Sequence, residues 1–324
     1  MARSAAKVSE AQPVWRTQIV ACNLCGSTNS VELYPSTLDT ELPLGELCAC
    51  TSSAYGLCEA IVQCQNCGLV FQNPQPVPED LHAAYEQVVD SLYDEEREGR
   101  IHTFGRSLKE LELFAPKGRL LDIGSHLGFF VEVALKNGWR AEGIEPSAWA
   151  SGTARNRGIP IRQGTIENFH CDVPYDAVTL WDVVEHLTDP AGTLDTICHL
   201  LKPGGLLALS TMDVEAPIAR LMGRSWPWYM QMHLFYFSRQ SLRLLVERAG
   251  FEVLEIRRHK RIVRFTYLVS RLERRLGRWY PMLNRLVDAL GIGPRLVTVD
   301  LGDIVTLYAR KPELRALASN GAHP

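Results

Sequence analysis

The sequence predicts an α/β fold with a doubly wound, Rossmann-like sheet of seven strands. Segments with strand and helix periodicity alternate between residues 119 and 256. The first strand, 119–123, runs into a glycine turn that opens a helix, and the second, 140–144, is followed at once by Glu145. Doubly wound sheets bind ligands at this edge, beyond the carboxyl ends of their strands. We therefore expect the functional site there.

Hydrophobic periodicity and turn residues define the other elements. Further strands are predicted at 160–162, 175–180, 205–211, 251–256 and 303–310, and helices at 129–137, 148–157, 190–201 and 239–249. The region 79–114 has a helical pattern that Pro116 and Gly118 stop. Because strands and helices alternate, we expect a mostly parallel sheet with helices on both faces.

The bulk composition is that of an ordinary globular protein with about two structural units. Of its 324 residues, 46% are hydrophobic and 22% are charged, and the formal net charge is −3. This balance argues against a chain built mainly to bind nucleic acid. No apolar run is long enough for a transmembrane helix, and residues 1–15 lack the apolar core of a secretory signal. We therefore expect a cytoplasmic, reducing setting.

Two matched cysteine pairs near the N-terminus predict a zinc-ribbon-like module. Cys22 and Cys25 form one pair and Cys64 and Cys67 the other, and each pair is followed by a glycine that lets the backbone curl around a metal. Four converging thiolates suit tetrahedral zinc in a structural role, because they leave no open position for catalysis. The alternative is that no metal is bound.

Three more cysteines lie between the two pairs, namely Cys48, Cys50 and Cys58. These three cysteines could act as substitute zinc ligands or be free thiols, and the sequence leaves both roles open. The composition along the chain then suggests four parts: a flexible tail 1–20, a zinc-binding module 21–78, a core with leading helices 79–258, and a helical cap with the last strand 259–324.

The C-terminal part is basic and amphipathic. Apolar residues recur at helical spacing from Ile262 to Leu290, interrupted by Pro281, which predicts two amphipathic helices as an insertion before the last strand. Arginines recur every seven residues at Arg264, Arg271, Arg278 and Arg285. Residues 251–295 hold 11 Lys or Arg against 4 Asp or Glu. We favour a solvated polar face over a helical cap, with contact to an anionic substrate tail or a membrane surface as the alternative.

The glycine turn after the first strand disfavours a dinucleotide. It carries Gly124 and Gly128 but lacks the remaining glycines of that fingerprint, and Asp122 precedes it where a carboxylate would repel pyrophosphate. A cationic ligand is therefore favoured. Glu145 follows Gly124 by 21 residues, close to the spacing at which a carboxylate binds ribose hydroxyls. A ligand with a ribose at one end and an ammonium at the other matches S-adenosylmethionine.

The chain resembles the class I S-adenosylmethionine-dependent methyltransferases, in particular the small-molecule branch with an N-terminal zinc-binding module. The motifs that carry the resemblance lie at 121–128, 143–147, 175–187 and 201–205. The likeness covers about residues 60 to 258 and implies that the last strand is antiparallel. One departure is His126, which stands where the family usually has a small residue.

The resemblance implies a set of cofactor contacts. It places the ribose and methionine near the first two strand ends, at Asp122, Gly124, Ser125, Gly128, Glu145 and Pro146. It places the adenine near Thr165 and Ile166, where an ordinary turn is an equally good explanation, and the methyl group near Trp181 and Asp182.

The acceptor side is predicted to lie along the aromatic loop 226–238, as a lid and substrate wall. His233 is our first candidate for a general base, and His186 is the second, with a structural role as its alternative. The loop resembles that of sugar C-methyltransferases, but Met230 and Met232 replace the expected tyrosine and glutamate. Oxygen methylation, as in quinone-biosynthesis relatives with a similar Glu-His pair, stays open.

The resulting hypothesis is transfer of a methyl group from S-adenosylmethionine to a small or lipid-linked acceptor, on oxygen or carbon, with a histidine base. A ribosomal RNA base methyltransferase is the runner-up. It is weakened because residues 1–80 hold 3 basic against 8 acidic residues. A non-catalytic cofactor-binding scaffold is the third hypothesis. The acceptor, the methylated atom and the oligomeric state stay open.

Overall fold

The computed structural model describes residues 16–38, 48–49, 56–271 and 276–313. The N-terminal module contains five short strands: β1 (Thr17–Gln18), β2 (Ser30–Tyr34), β3 (Ile61–Cys64), β4 (Val70–Gln72) and β5 (Gln75–Pro76). The predicted tail extends too far, because β1 pairs with β5 and Arg16 binds the carboxylate of Asp80. Strands β2, β3 and β4 form an antiparallel sheet.

Two tight turns of the module carry the paired cysteines. Gly26 and Gly68 have φ values of 73° and 77°, and their amides donate to the carbonyls of Cys22 and Cys64 at 2.8 and 2.9 Å. Such a left-handed conformation is favourable for glycine and strained for other residues. The two glycines therefore let each cysteine pair fold back on itself.

Three helices lead from the module into the core, in agreement with the helical pattern of 79–114. They are α1 (Pro78–Gln87), α2 (Ser91–Glu95) and α3 (Arg97–Leu111). Pro78 opens α1, where a missing amide costs nothing, and Asp90 caps α2 by accepting from the amide of Tyr93.

The central sheet confirms the predicted α/β fold. In chain order it contains β6 (Arg119–Ile123), β7 (Arg140–Glu145), β8 (Ile161–Gln163), β9 (Tyr175–Trp181) and β10 (Leu201–Met212). Four helices alternate with or follow these strands: α4 (Phe129–Lys136), α5 (Ala148–Asn156), α6 (Pro190–Leu200) and α7 (Pro217–Met222). All five strands are parallel, as expected for right-handed crossovers through helices.

The remaining elements are β11 (Phe235–Tyr236), α8 (Arg239–Arg248), β12 (Glu252–Arg258), β13 (Arg261–Arg264), α9 (Phe265–Ser270), α10 (Tyr280–Ala289), β14 (Leu296–Val299) and β15 (Ile304–Arg310). The seven-stranded sheet has the order β12-β15-β10-β9-β6-β7-β8. Strand β15 runs antiparallel between β10 and β12, as expected. The sheet therefore turns its parallel carboxyl ends toward one edge.

The C-terminal insertion differs from its prediction. Its first segment is a strand, β13, which pairs with β14, so the following helix α9 is short. The prediction of helix was wrong only at the start of the apolar pattern, 262–264, because a short apolar run fits either element, whereas α9 and α10 are helices as predicted. Pro281 does not interrupt a helix but lies in the first turn of α10, where proline is tolerated.

The aromatic loop 226–238 was wrongly predicted to be a lid. Trp226 and Leu234 are 0% exposed, and β11 within the loop pairs with β4 of the N-terminal module. Aromatic residues are found equally in mobile covers and in cores, and only the partner strand distinguishes the two. The loop is therefore a fixed wall.

Among the described residues, no helix has the length and apolar character needed to cross a membrane.

Candidate active site

A cavity opens at the carboxyl ends of β6, β7, β8 and β9, as the fold predicts. One wall comes from these strand ends and includes Gly124, Glu145, Pro146, Thr165, Ile166, Trp181 and Asp182. The other wall comes from α1, the 3-10 turn Val184–His186 after β9, the 226–238 loop and the C-terminal insertion, and includes Tyr85, His186, Trp228, Met230, Met232, His233 and Arg261. We call them the cofactor wall and the acceptor wall.

The glycine turn lets the backbone approach the cavity closely. Gly124 has a φ of 67°, and a Cβ atom there would lie 2.5 Å from Cγ2 of Val183. Gly128, at the start of α4, has a φ of 72°, and its Cβ would lie 2.8 Å from Cγ2 of Ile159. Both positions therefore require glycine. Gly124 lines the cavity, whereas Gly128 shapes the turn from behind.

Glu145 is the buried acid at the end of β7. Its Oε2 accepts a hydrogen bond from the amide of His126 at 2.8 Å, and its Oε1 accepts one from the amide of Ser147 at 2.9 Å. Burial raises the pKa of this carboxyl to about 7, although the two amides oppose the shift. A carboxylate has about four acceptor positions, so each oxygen keeps one for a ligand hydroxyl. This arrangement fits a ribose diol.

Asp122 lies away from the cavity surface. Its side chain is 3% exposed, and its Oδ1 accepts a hydrogen bond from Thr179 at 2.7 Å. Burial is the main reason that the pKa of this carboxyl is raised to about 8. The carboxyl faces Thr179 of β9 and does not line the cavity, so its contact with a ligand ammonium stays a prediction.

The other cofactor-side residues divide into cavity and support positions. Pro146, Thr165 and Ile166 line the cavity, and Ile166 offers an apolar surface from a 3-10 turn. Ser125 does not line it, and its Oγ donates to the carbonyl of Ile144 at 3.3 Å. Three of the predicted contacts, at Asp122, Ser125 and Gly128, thus support the wall from behind.

His126 occupies a left-handed conformation with a φ of 48°. Its ring stacks on Tyr93 with centroids 3.8 Å apart, and neither ring nitrogen has a hydrogen-bond partner among the described residues. Burial, assisted by the positive charge of Arg100, lowers the pKa of His126 to about 3. The imidazole is therefore neutral at physiological pH. Sequence reasoning missed Tyr93 and Arg100, which both reach the cavity from the leading helices.

Asp182 joins the two walls. It has a φ of 57°, its Oδ1 accepts from Ser210 at 2.8 Å, and its Oδ2 lies 2.5 Å from Nη2 of Arg261. Burial alone would raise the pKa of Asp182, but the attraction of Arg261 together with His259 and the hydrogen bond from Ser210 outweighs it, and the pKa is lowered. Asp182 is therefore ionised. Arg261 comes from the C-terminal insertion, and its part in the site was not predicted.

The two candidate bases meet on the acceptor wall. The rings of His186 and His233 have centroids 4.8 Å apart at a steep angle. Nδ1 of His186 lies 2.9 Å from the carbonyl of Met232, and Nδ1 of His233 lies 2.8 Å from the carbonyl of Trp228. A carbonyl only accepts hydrogen bonds, so both Nδ1 atoms carry the proton and both Nε2 atoms keep a lone pair.

Burial determines the charge of this histidine pair. It lowers the pKa of His186 to about 4, and burial together with His186 lowers the pKa of His233 well below its usual value. The adjacent Glu185 is 1% exposed, and burial raises its pKa to about 8, with Asp182 adding to the shift. One ligand atom from each of these three side chains lies within 4.8 Å of the others. The cluster is therefore neutral near pH 7.

Gln72 of β4 fixes the acceptor wall to the N-terminal module. Its amide nitrogen lies 2.6 Å from the carbonyl of His233 and 3.0 Å from that of Met230. The amide of Leu234 in turn donates to the carbonyl of Glu185 at 2.8 Å. The two bonds of Gln72 connect segments more than 150 residues apart in sequence. No local sequence signal identifies Gln72.

The four predicted metal ligands converge within the module, where Cys22 and Cys64 are buried and Cys25 and Cys67 are partly exposed. Sγ of Cys22 lies 3.4 Å from that of Cys67, and Sγ of Cys25 lies 3.5 Å from that of Cys64. All four sulfur atoms lie within 4.8 Å of one another. Tetrahedral zinc with bonds of about 2.3 Å separates its sulfurs by about 3.8 Å, so the donor set fits this ion.

The remaining cysteines of the module stand apart from these four sulfurs. Cys48 and Cys58 are buried, and neither belongs to the group of converging ligands. Cys48 instead lines the cavity. Cys50 lies outside the described residues.

The sheet with an antiparallel last strand, the glycine turn and the acid at the cofactor wall define a class I S-adenosylmethionine-dependent methyltransferase fold. Residues 93–256, half of the chain, match the model of a methyltransferase domain family. The chain belongs to this family.

Curated relatives are named ubiquinone biosynthesis O-methyltransferase. One from Nitrobacter winogradskyi is 32% identical over 123 residues, which cover 36% of this chain and 47% of the relative. One from Aeromonas salmonicida is 35% identical over 112 residues, covering 32% of this chain and 47% of the relative. The chain thus spans about half the length of the curated relatives it matches.

Solved methyltransferase structures are similar at lower identity. One from Thermotoga maritima, a S-adenosylmethionine-dependent methyltransferase, is 21% identical, covers 66% of this chain and 90% of its own, and has a TM-score of 0.45. The magnesium protoporphyrin IX methyltransferase of Synechocystis, with bound S-adenosylhomocysteine, is 13% identical and has a TM-score of 0.46. The similarity covers 69% of this chain and 88% of that methyltransferase.

Proposed function

We propose that this protein transfers a methyl group from S-adenosylmethionine to an oxygen of a small-molecule acceptor. The observation that carries the proposal is one continuous cavity with Glu145 on its cofactor wall and a neutral histidine pair on its acceptor wall. The names of the curated relatives support the same reaction class. When bound, the cofactor supplies a methyl group already activated by its sulfonium.

The cofactor wall would position that group through polar and apolar contacts. The free acceptor positions of Glu145 would bind the ribose hydroxyls, while Ile166 and Thr165 would contact the adenine. Asp182 is ionised and lies beside Trp181, so it would attract the positive end of the methionine portion. Asp122 would act indirectly, by holding the strand from which the glycine turn begins.

His233 would be the base, with His186 as its neighbour in the proton path. Nε2 of His233 carries a lone pair and the side chain lines the cavity. Because burial makes it a weak base, it suits an acidic hydroxyl such as a phenol better than a carbon acid. Met230 and Met232 fit this choice, since a thioether cannot hold the proton of a carbon acid.

The acceptor itself would be apolar and linked to a lipid tail. Leu81, Val88, Trp228, Met230 and Met232 give the acceptor wall an apolar surface. An RNA base is disfavoured because the N-terminal module adjoining this wall is acidic, with 3 basic against 8 acidic residues in 1–80. A scaffold without turnover is disfavoured because both histidines keep an Nε2 lone pair and line the same cavity as Glu145.

Structural zinc would hold the module through Cys22, Cys25, Cys64 and Cys67. The ion would contribute stability only, because four protein ligands leave no open position. Through β4 and Gln72, the module supports the carbonyls that surround the histidine pair. Zinc would therefore act on catalysis through the position of His233.

Labelled S-adenosylmethionine incubated with separate metabolite, lipid and RNA fractions tests the proposal. We expect label in a small phenolic or lipid-linked product, in a methoxy group that mass spectrometry and NMR identify. Label in RNA or on carbon would overturn the assignment. Tight binding of S-adenosylhomocysteine with no label in any fraction would instead support the scaffold hypothesis.

A further inference from the structure

We propose that one face of helix α10 docks onto the surface of an anionic lipid bilayer. This docking face consists of Met282 and Leu286 in α10, together with the capping residues Trp279 and Leu290 at its two ends. The proposal rests on the proposed function, because it supplies the route by which a lipid-linked acceptor would reach the cavity. This proposal differs from that of a solvated basic cap, because apolar side chains that the fold leaves exposed would make the contact.

The exposure of the docking face is the first observation. The exposed fractions are 53% for Trp279, 61% for Met282, 55% for Leu286 and 60% for Leu290. Single exposed apolar residues are ordinary, but four that adjoin one another on one helix indicate an interaction surface.

The arrangement around the helix is the second observation. At about 100° per residue, the four apolar side chains fall within an arc of roughly 80°. Val287, 2% exposed, lies on one flank of this arc and faces the protein. Arg278 and Arg285 lie on the opposite flank and are exposed. An apolar stripe bordered by arginines is typical of a helix that lies in the plane of a membrane interface.

Charge identifies the partner. The whole chain carries a formal charge of −3, yet residues 251–295 hold 11 basic against 4 acidic residues. An anionic bilayer attracts each nearby arginine, whereas a second copy of this basic face would repel it. The long arginine stems also let the guanidinium groups reach lipid headgroups while the apolar residues insert below them.

The helix is fixed to the part of the fold that lines the cavity. The carbonyl of Gly293, just after α10, accepts a hydrogen bond from the amide of Thr266 in α9 at 3.1 Å. A Cβ at Gly293 would lie 2.7 Å from Thr266 and 3.5 Å from Val287, so the two helices meet closely there. Tyr267 of α9 lines the cavity. A docked α10 therefore brings one side of the cavity toward the bilayer.

Vesicle co-sedimentation of the full chain tests the proposal, with phosphatidylcholine alone or with added phosphatidylglycerol. The main variant combines Trp279→Ser, Met282→Ser and Leu286→Ser, which we expect to lower binding to anionic vesicles about 10-fold or more. The matched control combines Ile19→Ser, Leu113→Ser and Leu221→Ser, exposed apolar residues elsewhere, and should bind as the unmodified chain does.

Arginine variants measure the charge contribution. Arg278→Gln and Arg285→Gln should each lower binding about five-fold at low salt, with less effect at high salt. No binding of the unmodified chain to anionic vesicles, or equal binding of the main variant and the control, would overturn the proposal. A concentration-dependent dimer in light scattering that the main variant abolishes, without vesicle binding, would also overturn it in favour of a second copy.

Vesicle binding and methyl transfer can be tested independently of each other. Affinity for S-adenosylhomocysteine and methyl transfer to a water-soluble phenol are measured without vesicles. Retained transfer with absent vesicle binding would overturn only the docking face. Vesicle binding without any methyl transfer would support the docking face and contradict the proposed reaction.

Discussion

The two walls of the cavity are built in different ways. The cofactor wall is formed by neighbouring strand ends, and its key carboxylate, Glu145, is held by amides from adjacent turns at His126 and Ser147. The acceptor wall depends on distant segments, since Gln72 of the N-terminal module bonds to the carbonyl of His233. The cofactor wall should therefore tolerate damage to the module, whereas the acceptor wall should not.

The largest expected effect comes from removing the metal ligand Cys64. Cys64→Ser should reduce bound zinc from about one ion per chain to much less and destabilise the module, since structural zinc contributes on the order of 10 kcal/mol. Methyl transfer should then fall much further than affinity for S-adenosylhomocysteine. Elemental analysis, thermal unfolding and calorimetric titration measure these quantities.

Cys198→Ser is the matched control, because Cys198 lies outside the group of converging sulfurs. It should keep the full zinc content and transfer rate. Equal loss of cofactor affinity and transfer in Cys64→Ser would show that the walls are not separable. Unchanged metal content would contradict the proposed ligand set.

The second prediction concerns the base on the acceptor wall. His233→Gln should lower kcat about 100- to 10,000-fold while affinity for S-adenosylhomocysteine stays within a few-fold, because the imidazole acts on the acceptor proton. His186→Gln should lower kcat less. Stopped assays with a phenolic acceptor over pH 6 to 9 measure both.

His199→Gln, on the exposed side of α6, serves as the control and should have no effect. If His233→Gln keeps full activity, the base is not His233. A loss that disappears with a more acidic phenol would confirm the proton-accepting role, since such an acceptor ionises without help.

The same contrast explains what the sequence could and could not predict. The strands at 119–123 and 140–144 were predicted closely because local periodicity and a glycine turn determine them. The 226–238 loop was misread because its partner strand, β4, lies far away in sequence. Gln72 and Arg261 were missed for the same reason: a single polar residue carries no periodic signal, and only tertiary contact gives it a role.

The third prediction concerns the acid of the cofactor wall. Glu145→Gln should weaken binding of S-adenosylhomocysteine about 10- to 100-fold, because an amide nitrogen replaces one acceptor oxygen and faces a backbone amide. Calorimetric titration measures this loss. Glu142→Gln, on the same strand but bonded to Arg119 and Tyr175 away from the cavity, is the control and should keep its affinity. Equal losses in both variants would indicate a general effect on β7 rather than a ribose contact.

The smallest expected effect is a pH dependence that arises behind the cofactor wall. Burial raises the pKa of Asp122 to about 8 in the folded protein, above about 3.9 in the unfolded chain. The folded state therefore binds one more proton in this range, and the free energy of unfolding falls as pH rises, by at most about 1.4 kcal/mol per pH unit. Above about pH 8 this dependence should level off.

Asp122→Asn removes the titrating group and keeps an oxygen that can accept from Thr179. Denaturant unfolding at pH 6, 7 and 8 should show a shallower decline for the variant than for the unmodified chain, while Asp176→Asn should leave the slope as steep. Asp176 is a suitable reference because its pKa is lowered: burial opposes that shift, but the hydrogen bonds from Lys202 and the amide of Arg119, together with nearby positive charge, outweigh it, so Asp176 stays ionised throughout this range. Parallel slopes for Asp122→Asn and the unmodified chain would show that the buried carboxyl is not protonated, and that the strand end behind the glycine turn carries a charge after all.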